Sequence, residues 1–157
     1  MRGLRITRQE IDYVLASLAG LSISHVGRGD GSTVFLELGL LRPYTHRKGE
    51  YSVQGEMSLM IGRSWRVEKT RSIWFGAFSD QEKIDSRLPK LAGRSITTAV
   101  LEGRLPELHL AFSGDLWLSS FMGEQGQQEW VISNSNHSYY AKAQNFYKES
   151  KIGLTRR

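Results

Sequence analysis

Four histidines, His25, His46, His109 and His137, are the side chains best suited to move a proton near neutrality. None stands at the spacing of a zinc helix or finger. Glu107 and His109 are two residues apart, so a strand would place them on one face. A Glu-x-His pair can orient an imidazole for proton transfer, but the reading adopted is an ordinary charge pair on a wet sheet face. Residues 27–32, GRGDGS, are glycine-rich. A phosphate cradle needs a helix directly after such a loop, and residues 33–41 alternate as a strand, so a hairpin turn is expected. Asp12 and Asp85 fall in the first turns of predicted helices, where the macrodipole favours negative charge. The chain has no cysteine, which removes thiol catalysis, thiolate metal sites and disulfides together. No catalytic residue, no metal and no cofactor is expected.

Binding is the other chemistry to consider. Arg63, Trp65, Arg66, Lys69, Arg71 and Trp74 interleave cations with aromatics, a pattern that can stack bases and hold phosphates. Alternation divides this stripe between two faces, so nucleic acid on Arg63, Arg66, Lys69 and Arg71 stands as the alternative reading. Residues 42–55 hold Arg42, Tyr44, His46, Arg47, Lys48 and Tyr51, in what reads as an exposed loop. Tyr and Arg are the residue types that anchor protein interfaces. These six are the predicted partner-binding residues, and the expected partner is another protein. A small-ligand or enzymatic site at the seam between the halves described below is a third reading. Self-association into a homo-oligomer stays open.

The elements that must position these residues follow from pattern. With 157 residues, 39% hydrophobic and 24% charged, the chain suits one folded domain. Its +5 charge sits at the ends. Residues 1–8 and 148–157 form basic tails with 7 positive charges and 1 negative, leaving 14 positive and 15 negative for the body. Basic ends add salt-sensitive affinity for polyanions, though solubilising tails explain them as well. No apolar run reaches the roughly 18 residues of a spanning helix, and the N-terminus lacks a signal-type apolar core. A cytoplasmic protein without membrane contact is the expectation.

The strongest pattern is internal similarity. Residues 11–24 match residues 84–97 at a constant offset of 73, with 8 identities in 14 positions. The identities include Ile11/Ile84, Leu15/Leu88, Gly20/Gly93 and Ile23/Ile96. Thr7 with Glu10, and Ser79 with Glu82, have capping-box spacing. Pro89 should end the second helix early. After each helix the period becomes two, as in Val34, Leu36, Leu38 and in Leu108, Leu110, Phe112. Asp30-Gly31 marks a hairpin. Further strands are predicted at 57–61, 65–69 and 73–78, with counterparts at 116–121, 130–133 and 138–141. Residues 138–150 would also suit a helix, but the repeat favours a strand at their start. The predicted fold is α+β: two tandem helix-plus-antiparallel-strands repeats, about 7–78 and 79–147. A pseudo-two-fold would relate them in one curved sheet, a barrel or two packed sheets.

The series Leu91-Ala92-Gly93-x-x-Ile96, Leu108-x-Leu110-x-Phe112 and Trp130-x-Ile132 resembles small bacterial domain families of uncharacterised function. Some of their members are presumed toxin-immunity proteins. The resemblance covers residues 91–132 best and implies a non-catalytic, immunity-like role. It carries over no functional residue, and the basic pI near 9.6 departs from the acidic habit of many immunity proteins.

Overall fold

The computed structural model describes residues 3–45, 51–123 and 129–151, with Thr45 and Tyr51 as backbone only. Local chemistry starts the first helix, α1 (Arg8–Ala16), as its sequence demands. Thr7 is extended, and its hydroxyl accepts from the Glu10 amide at 3.1 Å. Ile11 and Leu15 bury its inner stripe, and Asp12 pairs with Arg8 one turn back at 3.0 Å. The second helix, α2 (Gln81–Arg87), begins one residue later than the capping-box spacing predicts. Asp80 accepts from the Lys83 amide at 2.8 Å, while the Ser79 hydroxyl accepts from the Gly76 amide. A carboxylate outcompetes a hydroxyl at the positive helix end, which explains the correction. Pro89 ends the α-helical ladder as expected, and Leu88–Leu91 tighten into a 3-10 turn.

The fold is mostly β, with every pairing antiparallel. A seven-stranded sheet runs β1 (Leu4–Ile6), β14 (Asn145–Ser150), β13 (His137–Lys142), β12 (Trp130–Ser133), β6 (Met57–Ile61), β3 (Val34–Leu38), β2 (Ile23–Arg28). A five-stranded sheet runs β8 (Ile73–Gly76), β7 (Trp65–Glu68), β11 (Leu116–Ser120), β10 (Glu107–Phe112), β9 (Ile96–Glu102). The two meet at an isolated bridge between Ser22 and Ser95. Around it, Gly20 N–H donates to Ile96 O (2.8 Å) and Gly93 N–H to Ile23 O (2.7 Å). Ile23 N–H donates to Arg94 O (2.7 Å) and Ile96 N–H to Leu21 O (2.9 Å).

Alternation fixes the faces. Val34, Leu36 and Leu38, and likewise Leu108, Leu110 and Phe112, turn inward and are buried. With Ile11, Leu15, Ile84 and Leu91 from the helical segments they form one core cluster, centred on large side chains such as Trp65, Phe75 and Trp130. The Trp65 and Phe75 rings meet edge to face at 5.6 Å.

Three further sequence expectations need amendment. Residues 42–55, read as a loop, contain a two-stranded antiparallel sheet, β4 (Arg42–Thr45) and β5 (Tyr51–Gln54). Arg-Pro-Tyr-Thr offers no apolar alternation to betray it. Residues 137–150 form two strands joined by a turn, not one strand at their start. Ala143 and Gln144, both at positive φ (49° and 71°), make the tight turn between β13 and β14. The basic ends are partly built into the sheet, with Leu4 opposite Lys148 and Arg5 opposite Tyr147. Residues 1–2 and 152–157 lie outside the described residues.

Candidate functional site

Two surfaces gather side chains that could recognise a ligand. The first is the outer face of the seven-stranded sheet. Strand register places Arg5, Tyr147, Tyr140, Val131, Met60 and Phe35 in one row across six strands. Their chain neighbours Phe146, Ala141, Ile132, Leu59, Ile61, Val34 and Leu36 are buried, so the row faces away from the core. Tyr140 and Tyr147 stack at 5.6 Å and 22°. Burial, then the nearby Glu149 and Tyr147, push the Tyr140 hydroxyl above its ordinary value. Phe35, Met60 and Val131 floor a hollow of about 250 Å³, with Ser58, Ser133 and Lys151 at its rim. Burial holds the Lys151 ammonium below its ordinary value; Glu37 pulls it up and Arg42 pushes it down.

The β4–β5 hairpin stands at the end of this row. Its base is tied down by carboxylates. Glu37 on β3 accepts from the Gly55 amide at 3.0 Å and from the Ser58 hydroxyl, and Glu56 accepts from the Leu40 amide at 2.8 Å. Leu40, Leu41 and Tyr44 are exposed large hydrophobics here, Leu40 at 76%. A second hollow of about 420 Å³ lies between Leu40, Leu41, Arg42, Glu56 and Ser135. Of the predicted partner-binding residues, Arg42 and Tyr44 sit on β4, and Tyr51 faces Thr45 in the β5 register. His46, Arg47 and Lys48 lie outside the described residues.

The second surface is the outer face of the five-stranded sheet. A hollow of about 280 Å³ is lined by residues that include Glu68, Thr98, Glu102, His109, Trp117 and Ser119. The Glu107–His109 pair read from the sequence is not made. Glu107 accepts from the Met122 amide at 2.9 Å, while His109 Nδ1 meets Ser119 Oγ at 3.1 Å and its Nε2 lies 3.9 Å from Glu102. Cross-strand register, invisible in sequence, chose these partners. The alternation of Trp117 with Ser119 was the only available signal.

The stripe proposed for nucleic acid is divided by local contacts. Arg66 Nε donates to Glu68 at 2.7 Å, and the guanidinium lies 5.9 Å from the Phe121 ring centre. Lys69 lies 5.2 Å over Trp74, Arg71 is exposed in the turn before β8, and Arg63 stands before β7 beside Glu129.

Among the described residues, no group of three or more His, Asp or Glu is placed to hold a metal ion. No helix among them is long and apolar enough to cross a membrane. Compared with protein-family models, with curated proteins and with solved structures, the chain has no match in any of the three.

Glu129 is a buried acid beside β12. It is 4% exposed, and among the described residues Oε2 has no hydrogen-bond partner. Burial raises its carboxyl above the ordinary range, Arg63 opposes this and Glu107 adds to it. A raised folded value means its stabilising term is present in acid and is lost as pH rises through that value. Glu129→Gln should therefore raise the Tm at pH 7. The gain should shrink towards pH 4. Melting curves at both pH values check this; a variant less stable at pH 7 contradicts it.

Proposed function

We propose that this chain is a non-catalytic protein-binding module, of a kind that would neutralise a toxin or serve defence. It docks through the outer face of the seven-stranded sheet and the adjoining β4–β5 hairpin. The observation that carries this reading is the outward apolar row Phe35, Met60 and Val131, continued by Tyr140 and Tyr147 and rimmed by Arg5, Arg42 and Lys151. An apolar centre with a charged rim is the anatomy of a protein interface. The rim cations fit a partner with acidic residues around its contact. Pairing with a carboxylate would offset the burial that disfavours the charged form of Lys151.

The test is capture from the cells that make the protein, with Phe35→Glu and a distant control, Tyr13→Glu, each shown to melt like the parent, and a deletion of residues 42–55 shown by circular dichroism to stay folded. One discrete partner should be held by wild type and by Tyr13→Glu and lost by the other two. Equal recovery by all four, or recovery of nucleic acid with a steep salt dependence, would overturn the reading.

We also infer that the fold arose by duplication of a helix-plus-strands unit whose last strands are exchanged. Residues 20–23 and 93–96 make the same hydrogen bonds to each other, at the offset of 73 read from the sequence. Both hairpins slip by one residue at matching places, Ser24 and Thr97. Strands β12 and β13 complete the sheet of β2, β3 and β6, while β7 and β8 complete that of β9, β10 and β11. Gly20 and Gly93, both at φ 91° with nothing within 4 Å of an added Cβ, supply a quantitative check. Gly20→Ala and Gly93→Ala should each cost about 1–2 kcal/mol, from backbone strain alone. Chemical denaturation giving unequal costs would count against the equivalence.

A further inference from the structure

The hollow on the five-stranded sheet is independent of the docking face, and its hydrogen bonds define what it can accept. Arg66 Nε donates to Glu68 Oε2 at 2.7 Å, and a carboxylate can only accept. The Ser119 hydroxyl donates its single proton to Glu68 Oε2 at 3.0 Å. Its oxygen must then accept from His109 Nδ1–H at 3.1 Å. In the neutral ring this leaves the Nε2 lone pair on the side of Glu102, 3.9 Å away. Ser119 is 7% exposed, so the relay is fixed from beneath the surface. The hollow thus presents acceptors: imidazole Nε2, the Glu102 carboxylate and the Thr98 hydroxyl, beside the Trp117 indole.

We propose that this hollow binds an organic cation, an alkylammonium or alkylguanidinium group. Such a group donates to Nε2 and Glu102 together and is attracted by the electron-rich indole. Its volume of about 280 Å³ admits one such head group with a short alkyl stem. The cation could be a free amine or guanidine, or the side chain of a Lys or Arg in a peptide. The two sources share one chemistry, which the experiment separates.

The experiment is titration of the full chain, followed by amide and imidazole-nitrogen NMR, with ethylguanidinium, butylammonium and a blocked Gly-Arg-Gly peptide. Ethylurea, the neutral shape-mimic, is the control. Wild type should respond to the cations at Thr98, Glu102, His109 and Trp117, and not to ethylurea. Glu102→Gln should weaken binding about tenfold. Ser119→Ala should weaken it and also move the resting proton of His109 off Nδ1, read directly from the two ring-nitrogen shifts. Tighter binding of the peptide than of ethylguanidinium assigns the site to a protein side chain; the reverse order assigns it to a free cation. Equal response to ethylurea, no response to any cation, or full affinity in Glu102→Gln would overturn the proposal. Partner capture through the opposite sheet is a separate readout, so either reading can fail alone.

Discussion

Trp65→Ala and Trp130→Ala should each lower the free energy of unfolding by about 3–5 kcal/mol, a large part of what a domain this size possesses. Each indole is 1% exposed and fills the join between strands contributed by different halves of the chain. Trp65 lies opposite Ser120 where β7 meets β11, and Trp130 opposite Ile61 where β12 meets β6. Each indole N–H also donates to the carbonyl at a hairpin end, Trp65 to Ser32 at 2.7 Å and Trp130 to Pro106 at 3.0 Å. Alanine therefore leaves a cavity and an orphaned carbonyl at the same place. Phenylalanine restores most of the volume but not the donor, and should recover more than half of the loss at either position. Urea denaturation followed by far-ultraviolet circular dichroism measures this without relying on tryptophan fluorescence. A cost below about 1 kcal/mol at either site would contradict the packing described.

Gly55→Ala should cost about 2–3 kcal/mol and release the hairpin from the sheet. A Cβ at this position would meet the backbone of Leu38, with the amide nitrogen 2.5 Å away and the carbonyl oxygen nearer still. Backbone cannot swing aside as a side-chain tip can, so β3 and the start of β6 must part from the hairpin. The Gly55–Glu37 bond at 3.0 Å would go with them, and Glu37 also steadies Ser58 at the rim of the docking hollow. Loss of stability should come with loss of the captured partner, while the cation response on the opposite sheet persists. Hydrogen exchange should rise at Arg42, Tyr44 and Val53 but not at Leu110 or Leu118. A melting temperature within a degree of the parent would refute this account of the hairpin base.

What was legible in the sequence was whatever short-range chemistry determines. The Thr7 cap, the Asp30-Gly31 hairpin, the Pro89 stop and the inward alternation of β3 and β10 all rest on neighbours a few residues apart. Partner choice rests on contacts far apart in the chain. Nothing in Met57–Ile61 or Trp130–Ser133 says that these strands pair with each other. Period two assigns a residue to a face, not to a neighbour. Arg42-Pro43-Tyr44-Thr45 lacked the alternation that would have marked a strand. Asp80 caps the second helix in place of Ser79 and stands 73 residues after Thr7, at the same offset as the rest of the matched segment.

The candidate surfaces were partly readable for the same reason. Arg42 and Tyr44 were singled out by residue type, and the structure places both on β4. Phe35 and Val131 carried an overlooked signal: each is apolar at an outward position, so Val34-Phe35-Leu36 and Trp130-Val131-Ile132 run apolar without a break. A strand wet on one face should alternate. Unbroken runs in an antiparallel sheet mark an outer face that carries apolar side chains. Ser119 gave no such sign, because a serine on a strand becomes a relay only when His109 and Glu68 stand on either side of it.

The central claim, that a protein partner covers the outer face of the seven-stranded sheet, is tested most directly by site-specific photo-crosslinking in the cells that make the protein. A benzophenone side chain at Phe35, and in parallel at exposed Tyr13 on α1, reports what touches each surface. One protein adduct of defined mass from position 35, absent from position 13, is the expected result. A nucleic-acid adduct, an adduct only to a second copy of this chain, or the same products from both positions would contradict the claim.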